Sequence, residues 1–257
     1  MNIKGISVNV GKALLVSALF MFISIIVSII EGYDSAFAPL LISFIITLLV
    51  GAFPFIFVRN TDSLSLNDGF LTIFLSWMLS FIFGMLPYVL WGGEFTLMNA
   101  WFESVSGYTT TGATILTDIE SLPKSLLFWR SSTHYIGGLG VIVFLLLVLP
   151  QASPYRLKLT NMEMSTLSKG GYRYNSAKVI KVITGVYLFF TIAAFLSLWA
   201  AGMTFFDAVN HAFSLASTGG FSTRNLSVGY YDSDLIKVVV MIFMAVCAMH
   251  FGLVYAV

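Results

Sequence analysis

Two short polar segments, each rich in threonine, serine and glycine, lie between long apolar stretches of the chain. The first is Ser104-Val-Ser-Gly-Tyr-Thr-Thr-Thr-Gly-Ala-Thr114, and the second, about 108 residues later, is Phe213-Ser-Leu-Ala-Ser-Thr-Gly-Gly-Phe-Ser222. Each unpaired backbone group would cost several kcal/mol in lipid, so such a segment must face water or be enclosed by protein. A pair of these segments in equivalent places predicts a pore.

The residues of both segments suit the passage of a monovalent cation. Backbone carbonyl oxygens can replace the hydration shell of a large monovalent ion, and glycine permits the backbone angles that this requires. Thr110, Thr111 and Thr114 are expected to add neutral hydroxyl oxygens. A tightly held divalent ion would need carboxylates, and the core of neither segment contains one. The pattern therefore favours potassium-like ions over calcium or magnesium.

The two segments align in register, with Thr110 on Thr218 and Gly112 on Gly220. A single copy could equally be an external turn, but two copies in register, each behind a short apolar stretch, favour a pore. The predicted ion-binding positions are Thr110, Thr111, Gly112, Ala113, Thr218, Gly219, Gly220 and Phe221.

The composition is that of a membrane protein. The chain is 58% hydrophobic and 10% charged, with a mean hydropathy of +0.92, whereas soluble domains are about 25% charged. Its net charge of +1 gives no indication of a nucleic-acid partner.

The sequence shows no pattern of catalytic or metal-binding residues. No serine or cysteine has an evident base partner, and the three histidines lack metal-ligand spacing, so we expect no enzyme activity and no cofactor. The predicted substrate is the transported potassium ion, and no bound metal other than this ion is predicted.

Six stretches reach the length of about 20 apolar residues that crossing a bilayer requires. They are 11–30, 37–58, 69–91, 125–149, 178–200 and 235–257. Two shorter apolar stretches, 97–108 and 205–216, directly precede the polar segments and are predicted to be re-entrant half-helices. Gly84 and Pro87 are expected to kink the third span.

These elements predict an all-α polytopic fold with an internal repeat. Residues 1–60 form two leading transmembrane helices. Residues 61–150 form a first helix–pore loop–helix unit, residues 151–177 a basic cytoplasmic linker, and residues 178–257 a second unit of the same kind.

The basic residues indicate the orientation in the membrane. If the six spans alternate, one side carries Lys4, Lys12, Arg59, Arg156, Lys158, Lys169, Arg173, Lys178 and Lys181. The other side carries Glu31, Asp34, Glu94, Asp118, Glu120, Asp232 and Asp234. The first side is predicted to be cytoplasmic and to include the N-terminus. The basic linker either contacts anionic lipid headgroups or docks a cytosolic regulator.

Glu103 and Arg130 are charged residues within apolar stretches, which makes them functional candidates. Either they pair behind the filter and brace it, or each extends separately to the outer interface.

Three glycines, Gly137, Gly138 and Gly140, lie close together on one helix, and small residues allow helix backbones to approach closely in lipid. We expect these glycines to pack against a short helix rather than to contact ions.

The motifs resemble those of the Trk/Ktr/HKT superfamily of potassium transporters, in its TrkH-like branch. They are Phe102-Glu-Ser-Val-Ser-Gly-Tyr-Thr-Thr-Thr-Gly-Ala-Thr114, Trp129-Arg130 with Ile136-Gly-Gly-Leu-Gly-Val-Ile142, and Ser217-Thr-Gly-Gly-Phe-Ser-Thr223. The resemblance implies a pore architecture descended from simple potassium channels, with Gly112 and Gly220 at the filter-glycine positions. A serine at the first position would suggest sodium permeation, so Gly112 favours potassium.

The chain departs from that family in its number of units. Family members carry four units in one chain, whereas only two are present here, and the last span is still apolar at Val257. A truncated chain that covers the first half of a transporter is therefore expected, ahead of a half-size subunit that pairs to complete the ring. The resemblance also implies a bacterial inner membrane location, a homodimer and a cytosolic nucleotide-binding regulator of the TrkA/KtrA kind.

The predicted function is potassium uptake across the plasma membrane. One alternative is a sodium-permeable or sodium-coupled member of the same superfamily. The other, from a different class, is an incomplete or regulatory subunit that only assembles with a full pore.

Overall fold

The computed structural model describes residues 1–58, 64–148 and 176–248, without the side chains of residues 66, 141–148 and 176–180. Within these ranges every regular element is helical and no strand occurs. Residues 151–175 of the predicted linker, Arg59, and residues 249–257 of the sixth predicted span lie outside the described residues.

Two antiparallel helices lead the chain. Helix α1 is Ile3–Ile30 and helix α2 is Phe37–Phe57. α1 begins eight residues before the predicted span because the Asn2 side chain caps it, accepting a hydrogen bond from the Gly5 backbone nitrogen at 2.9 Å. The two helices cross at Gly11, where an added Cβ would lie only 2.6 Å from the carbonyl oxygen of Gly51. α1 packs against the first pore unit as well as against α2.

The third span is a broken helix. Helix α3, Leu66–Gly84, is separated by one residue from helix α4, Leu86–Trp91. The break confirms the kink predicted from Gly84 and Pro87, with the proline in the first turn of α4, where a missing N–H costs no helical hydrogen bond. A Cβ on Gly84 would lie 2.8 Å from the Ser104 hydroxyl. The glycine thus makes room for the short helix that contains Ser104.

Two short helices confirm the predicted half-helices. Helix α5 is Leu97–Tyr108, and the second short helix, named α8 in chain order, is Phe205–Ala216. Each has 12 residues, and each bound of α8 follows the corresponding bound of α5 by 108 residues. At 1.5 Å per residue such a helix is about 18 Å long, too short for a hydrocarbon core of about 30 Å. Thr96 and Thr204 cap their N-termini in the same way.

Three longer helices complete the described fold. They are α6 (Lys124–Val148), α7 (Ser176–Ala200) and α9 (Asp234–Ala248), the last preceded by a short 3₁₀ turn at Ser227–Tyr230. α6 packs against both short helices and therefore connects the two units.

Four described helical stretches are long and apolar enough to cross a membrane. They are Ile3–Ile30, Phe37–Phe57, Asn67–Trp91 and Lys181–Ala200. The element order is two helices followed by two helix–short helix–loop–helix units, so the predicted all-α polytopic fold is confirmed.

Candidate ion-conduction site

The two polar loops are in direct backbone contact. We call residues 109–114 loop one and residues 217–222 loop two. A Cβ placed on Gly112 would collide with the carbonyl oxygen of Gly219 and lie 3.6 Å from the Cα of Gly220. No side chain fits between the loops at this point, so Gly112 is the residue that allows them to approach.

The loops also have the same local conformation. Thr110 and Thr218 both lie in the left-handed region, with φ of 55° and 53°, and Gly112 and Gly220 have φ of 76° and 104°. Left-handed angles are unusual for a β-branched residue such as threonine. Matching backbone hydrogen bonds of 2.9–3.0 Å close each turn: Thr110 N to Gly107 O, Thr111 N to Ser106 O, Thr218 N to Leu215 O and Gly219 N to Ser214 O. The internal repeat therefore extends to the strained turn itself.

Seven of the eight predicted ion-binding residues are at least partly exposed, and the exception is Phe221. The whole residue, backbone included, is 2% exposed. Its ring stacks on His134 at 3.9 Å between centroids and lies 3.7 Å from the guanidinium carbon of Arg130. Phe221 therefore fixes loop two through its side chain.

The hydroxyl of Thr114 is occupied within the protein. It donates to the Glu103 carboxylate at 2.9 Å and accepts from the Leu116 backbone nitrogen at 3.2 Å. This differs from the predicted role, in which the hydroxyl oxygen joins the ion path. The hydroxyls of Thr109 and Thr111 lie on the exposed side and bond to each other at 2.8 Å.

Glu103 and Arg130 form a buried ion pair. Arg130 Nε donates to Glu103 Oε1 at 2.5 Å, and the two side chains are 2% and 0% exposed. Arg130 also donates from Nη1 to the carbonyl oxygen of Ser222 at 3.0 Å. Of the two arrangements that the sequence left open, the structure has the paired one, and the pair connects α5 and α6 to loop two.

A contact in the second unit corresponds to the one between Glu103 and Thr114. The residue 108 positions after Glu103 is His211, and the residue 108 positions after Thr114 is Ser222. His211 Nε2 lies 3.0 Å from the hydroxyl oxygen of Ser222, and its Nδ1 lies 2.8 Å from the carbonyl oxygen of Asp207. Sequence reasoning missed His211, although the register of the loops was sufficient to find it.

His134 of α6 is the second residue that sequence reasoning missed. Its Nδ1 accepts a hydrogen bond from the backbone nitrogen of Phe221 at 3.4 Å. A Cβ on Gly219 would collide with the His134 ring. His134 is fully buried, and its ring nitrogen contacts the backbone of loop two.

Two of the three glycines of α6, Gly137 and Gly138, pack as the sequence predicted. A Cβ on Gly137 would collide with the carbonyl oxygen of Tyr108 at the end of α5, and one on Gly138 would lie 2.7 Å from Cβ of Ser217 just beyond α8. The two glycines thus allow α6 to contact the ends of both short helices.

A polar cluster joins the outer loops of the two units. Arg224 pairs with Asp207 at 2.8 Å. Asn225 accepts from the Ile119 backbone nitrogen at 2.6 Å and donates to Asp118 at 2.8 Å. Burial is the largest single influence on the Arg224 guanidinium and disfavours its charged form, but the hydrogen bond and the charge of Asp207, together with Tyr231 and Tyr230, outweigh it, so the pKa of Arg224 is raised above its ordinary value. Within the described ranges, no group of three or more His, Cys, Asp or Glu residues could hold a metal ion.

The comparison with known families agrees with this geometry. The family model TrkH, described as a cation transport protein, matches residues 38–257. The chain belongs to the TrkH family.

Relatives within the TrkH family include named bacterial proteins. The Trk system potassium uptake protein TrkH of Escherichia coli is 34% identical over 258 residues, which cover 98% of this chain and 53% of that protein. The protein of the same name from Salmonella typhimurium is 38% identical over 197 residues, covering 76% of this chain and 41% of the relative.

The fold matches a solved TrkH structure. The crystal structure of the potassium transporter TrkH from Vibrio parahaemolyticus aligns with a TM-score of 0.83 at 32% identity. The alignment covers 100% of this chain and 52% of the solved chain. This TrkH-family chain therefore spans about half the length of these relatives.

Proposed function

We propose that this chain provides two walls of a selectivity filter through which potassium ions are taken up across the plasma membrane. The observation that carries the proposal is the contact between Gly112 and the carbonyl of Gly219, made by two loops that share the same left-handed turn. Two equivalent backbone segments that meet at one point are what a filter built by symmetry-related units requires.

The electrostatics of this site suit a potassium-sized ion. A helix C-terminus carries roughly half a negative charge, and both α5 and α8 end directly before a loop. The proposed ion-binding positions are the eight predicted ones, from Thr110 to Ala113 and from Thr218 to Phe221. All are uncharged, so the ion would be held by dipoles rather than by a carboxylate. Weak, distributed binding of this kind also lets the ion leave.

The proposed role of the Glu103–Arg130 pair is to brace this filter. Backbone carbonyls keep a defined geometry when the protein holds them in place, and a buried, fully hydrogen-bonded polar network is rigid. Arg130 reaches the backbone of loop two at Ser222, while Glu103 holds Thr114 at the end of loop one. The pair would thus support two adjacent walls at once.

We extend the proposal to the setting of the protein. The N-terminus would be cytoplasmic, as the basic residues predict, and the membrane would be a bacterial inner membrane. Residues 1–60 would form the leading pair, 61–150 and 178–257 the two pore units, and 151–177 the basic linker. A homodimer and a cytosolic nucleotide-binding regulator complete the proposed assembly. Relatives named as potassium uptake proteins support the choice of ion.

A second candidate function follows from the number of loops. The chain contains two pore loops and spans about half of its relatives, so it could instead be an incomplete or regulatory subunit that acts only with a full pore. A sodium-permeable or sodium-coupled transporter is the alternative within the family.

Flux measurements would distinguish these functions. The protein, purified as its cell produces it, would be placed in liposomes, and the uptake of radioactive rubidium and sodium would be compared with that of protein-free liposomes. Rubidium uptake in excess of sodium uptake is the expected result. Equal or greater sodium uptake would support the sodium transporter, and no uptake of either ion would support the incomplete subunit.

A further inference from the structure

Tyr108 ends α5 and is the last residue before loop one. Its side chain is 2% exposed. Its ring lies 6.1 Å from Phe81 and 6.5 Å from Trp129, measured between centroids. A Cβ on Gly84 would collide with this ring, so the absence of a side chain at Gly84 accommodates it. The ring therefore occupies a defined aromatic pocket directly behind the filter loop.

The hydroxyl of Tyr108 bonds to a residue outside the pore unit. It lies 2.8 Å from the hydroxyl oxygen of Ser17 on α1, and Ser17 is 0% exposed. Serines within helices commonly donate to their own helix, as Ser24 on the same helix does to the carbonyl of Phe20 at 2.9 Å. Ser17 instead joins a leading helix to the filter loop across 91 positions of sequence.

Tyr108 is thereby held at two points. Its backbone carbonyl lies against Gly137 of α6, and its hydroxyl lies against Ser17 of α1. The left-handed turn at Thr110 follows two residues later. A shift of the ring would therefore be transmitted to the backbone that forms the filter.

The hydrogen bond between Tyr108 and Ser17 has no equivalent at the corresponding position of the second unit. The residue 108 positions after Tyr108 is Ala216, which ends α8 and has no hydroxyl. The two loops share their turns and their glycines, yet among the described residues only the short helix before loop one ends in a residue whose hydroxyl bonds to a leading helix. The leading helices also lie beside the first unit, where α1 contacts α3 and α6.

We propose that the Ser17–Tyr108 hydrogen bond positions loop one and so helps to set the ion preference of the filter. α1 would then position loop one in addition to anchoring the chain in the membrane. Ser17 and Tyr108 act as positioning residues, since both lie behind the loop. The inference rests on the proposed filter function of loop one.

A mutant cycle with a matched control tests this inference. The variants are Tyr108→Phe, Ser17→Ala and the double variant, with Ser24→Ala as the control because Ser24 is equally buried on α1 but bonds within its own helix. The readout is the ratio of rubidium to sodium uptake in liposomes. Each single variant is expected to lower this ratio several-fold, the double variant no further, and Ser24→Ala not at all.

The outcomes separate the two proposals. If the unmodified protein shows no preference for rubidium, the filter function fails. If it shows the preference and Ser17→Ala retains it, the inference fails while the filter stands. Additive effects in the double variant, or an equal loss in Ser24→Ala, would also overturn it. Ser17→Ala removes the hydrogen bond without changing the Tyr108 ring, so it decides the question if Tyr108→Phe folds poorly.

Discussion

Arg130 donates a hydrogen bond to the carbonyl oxygen of Ser222 at 3.0 Å while its Nε pairs with Glu103. A charge on the long helix of the first unit thus holds the loop of the second unit. The pair is desolvated, with side chains 2% and 0% exposed, so each charge depends on the other. Because Glu103 also accepts a hydrogen bond from Thr114, the pair contacts both loops.

The buried Glu103–Arg130 pair predicts that substitutions of these two residues have strongly non-additive effects on the stability of the protein. Removing one partner leaves an uncompensated buried charge, which costs about 3–5 kcal/mol. We expect Glu103→Gln and Arg130→Gln each to lower the apparent melting temperature of the detergent-solubilised protein. The double variant should be less destabilised than the sum of the single variants.

The exposed pair Lys124–Glu31 is the matched control for this cycle. Its atoms approach to 2.8 Å, but its side chains are 51% and 34% exposed. Such pairs contribute about 0–1 kcal/mol, so Lys124→Gln and Glu31→Gln should change little. Strictly additive effects of the Glu103 and Arg130 variants would contradict direct coupling.

The close packing of α6 predicts that Gly137→Ala is destabilising. The added methyl group would collide with the carbonyl oxygen of Tyr108, and overpacking of this kind costs about 1–3 kcal/mol. Gly185→Ala on α7 is the control, because a Cβ there meets nothing within 4 Å and alanine favours a helix. Thermal unfolding of the two variants checks the prediction, which fails if both behave alike.

The outer cluster predicts that Asn225 holds the two units together. Asn225→Ala removes the contacts to the Ile119 backbone nitrogen and to Asp118, so the outer loops should be cut faster by an added protease. In Asn99→Ala the lost contact is local, since Asn99 donates to the carbonyl of Glu94 within one unit at 2.7 Å. Cleavage of the 118–120 loop at the same rate in both variants would show that Asn225 is not a tie between units.

Features determined by local sequence were predictable. The half-helices follow from short apolar runs ahead of polar segments, and their bounds in the structure, Leu97–Tyr108 and Phe205–Ala216, match the predicted ones. The break in the third span follows from Gly84 and Pro87, because sharp kinks in helices occur mostly at such residues. These signals need no knowledge of the neighbouring elements.

The partners of individual polar side chains on distant elements were mostly not predictable. Ser17 meets Tyr108 across 91 positions and Arg130 meets Ser222 across 92, and no local pattern specifies either partner. The residue type of Thr114 predicts a hydroxyl in the ion path, but the nearby Glu103 carboxylate accepts its hydrogen bond. Only the packed structure shows which of two plausible partners a polar group takes.

The ion preference of Gly112→Ser tests the central claim most directly. Serine at this position is strained at φ of 76°, and its Cβ would collide with the Gly219 carbonyl, so both loops must move. Gly92→Ser is the control, because Gly92 has φ of 84° but nothing within 4 Å of an added Cβ.

In liposome uptake assays the unmodified protein and Gly92→Ser should prefer rubidium over sodium. Gly112→Ser should lower that preference by about tenfold, which corresponds to about 1.4 kcal/mol. An unchanged preference in Gly112→Ser would contradict the assignment of the two loops as walls of the filter.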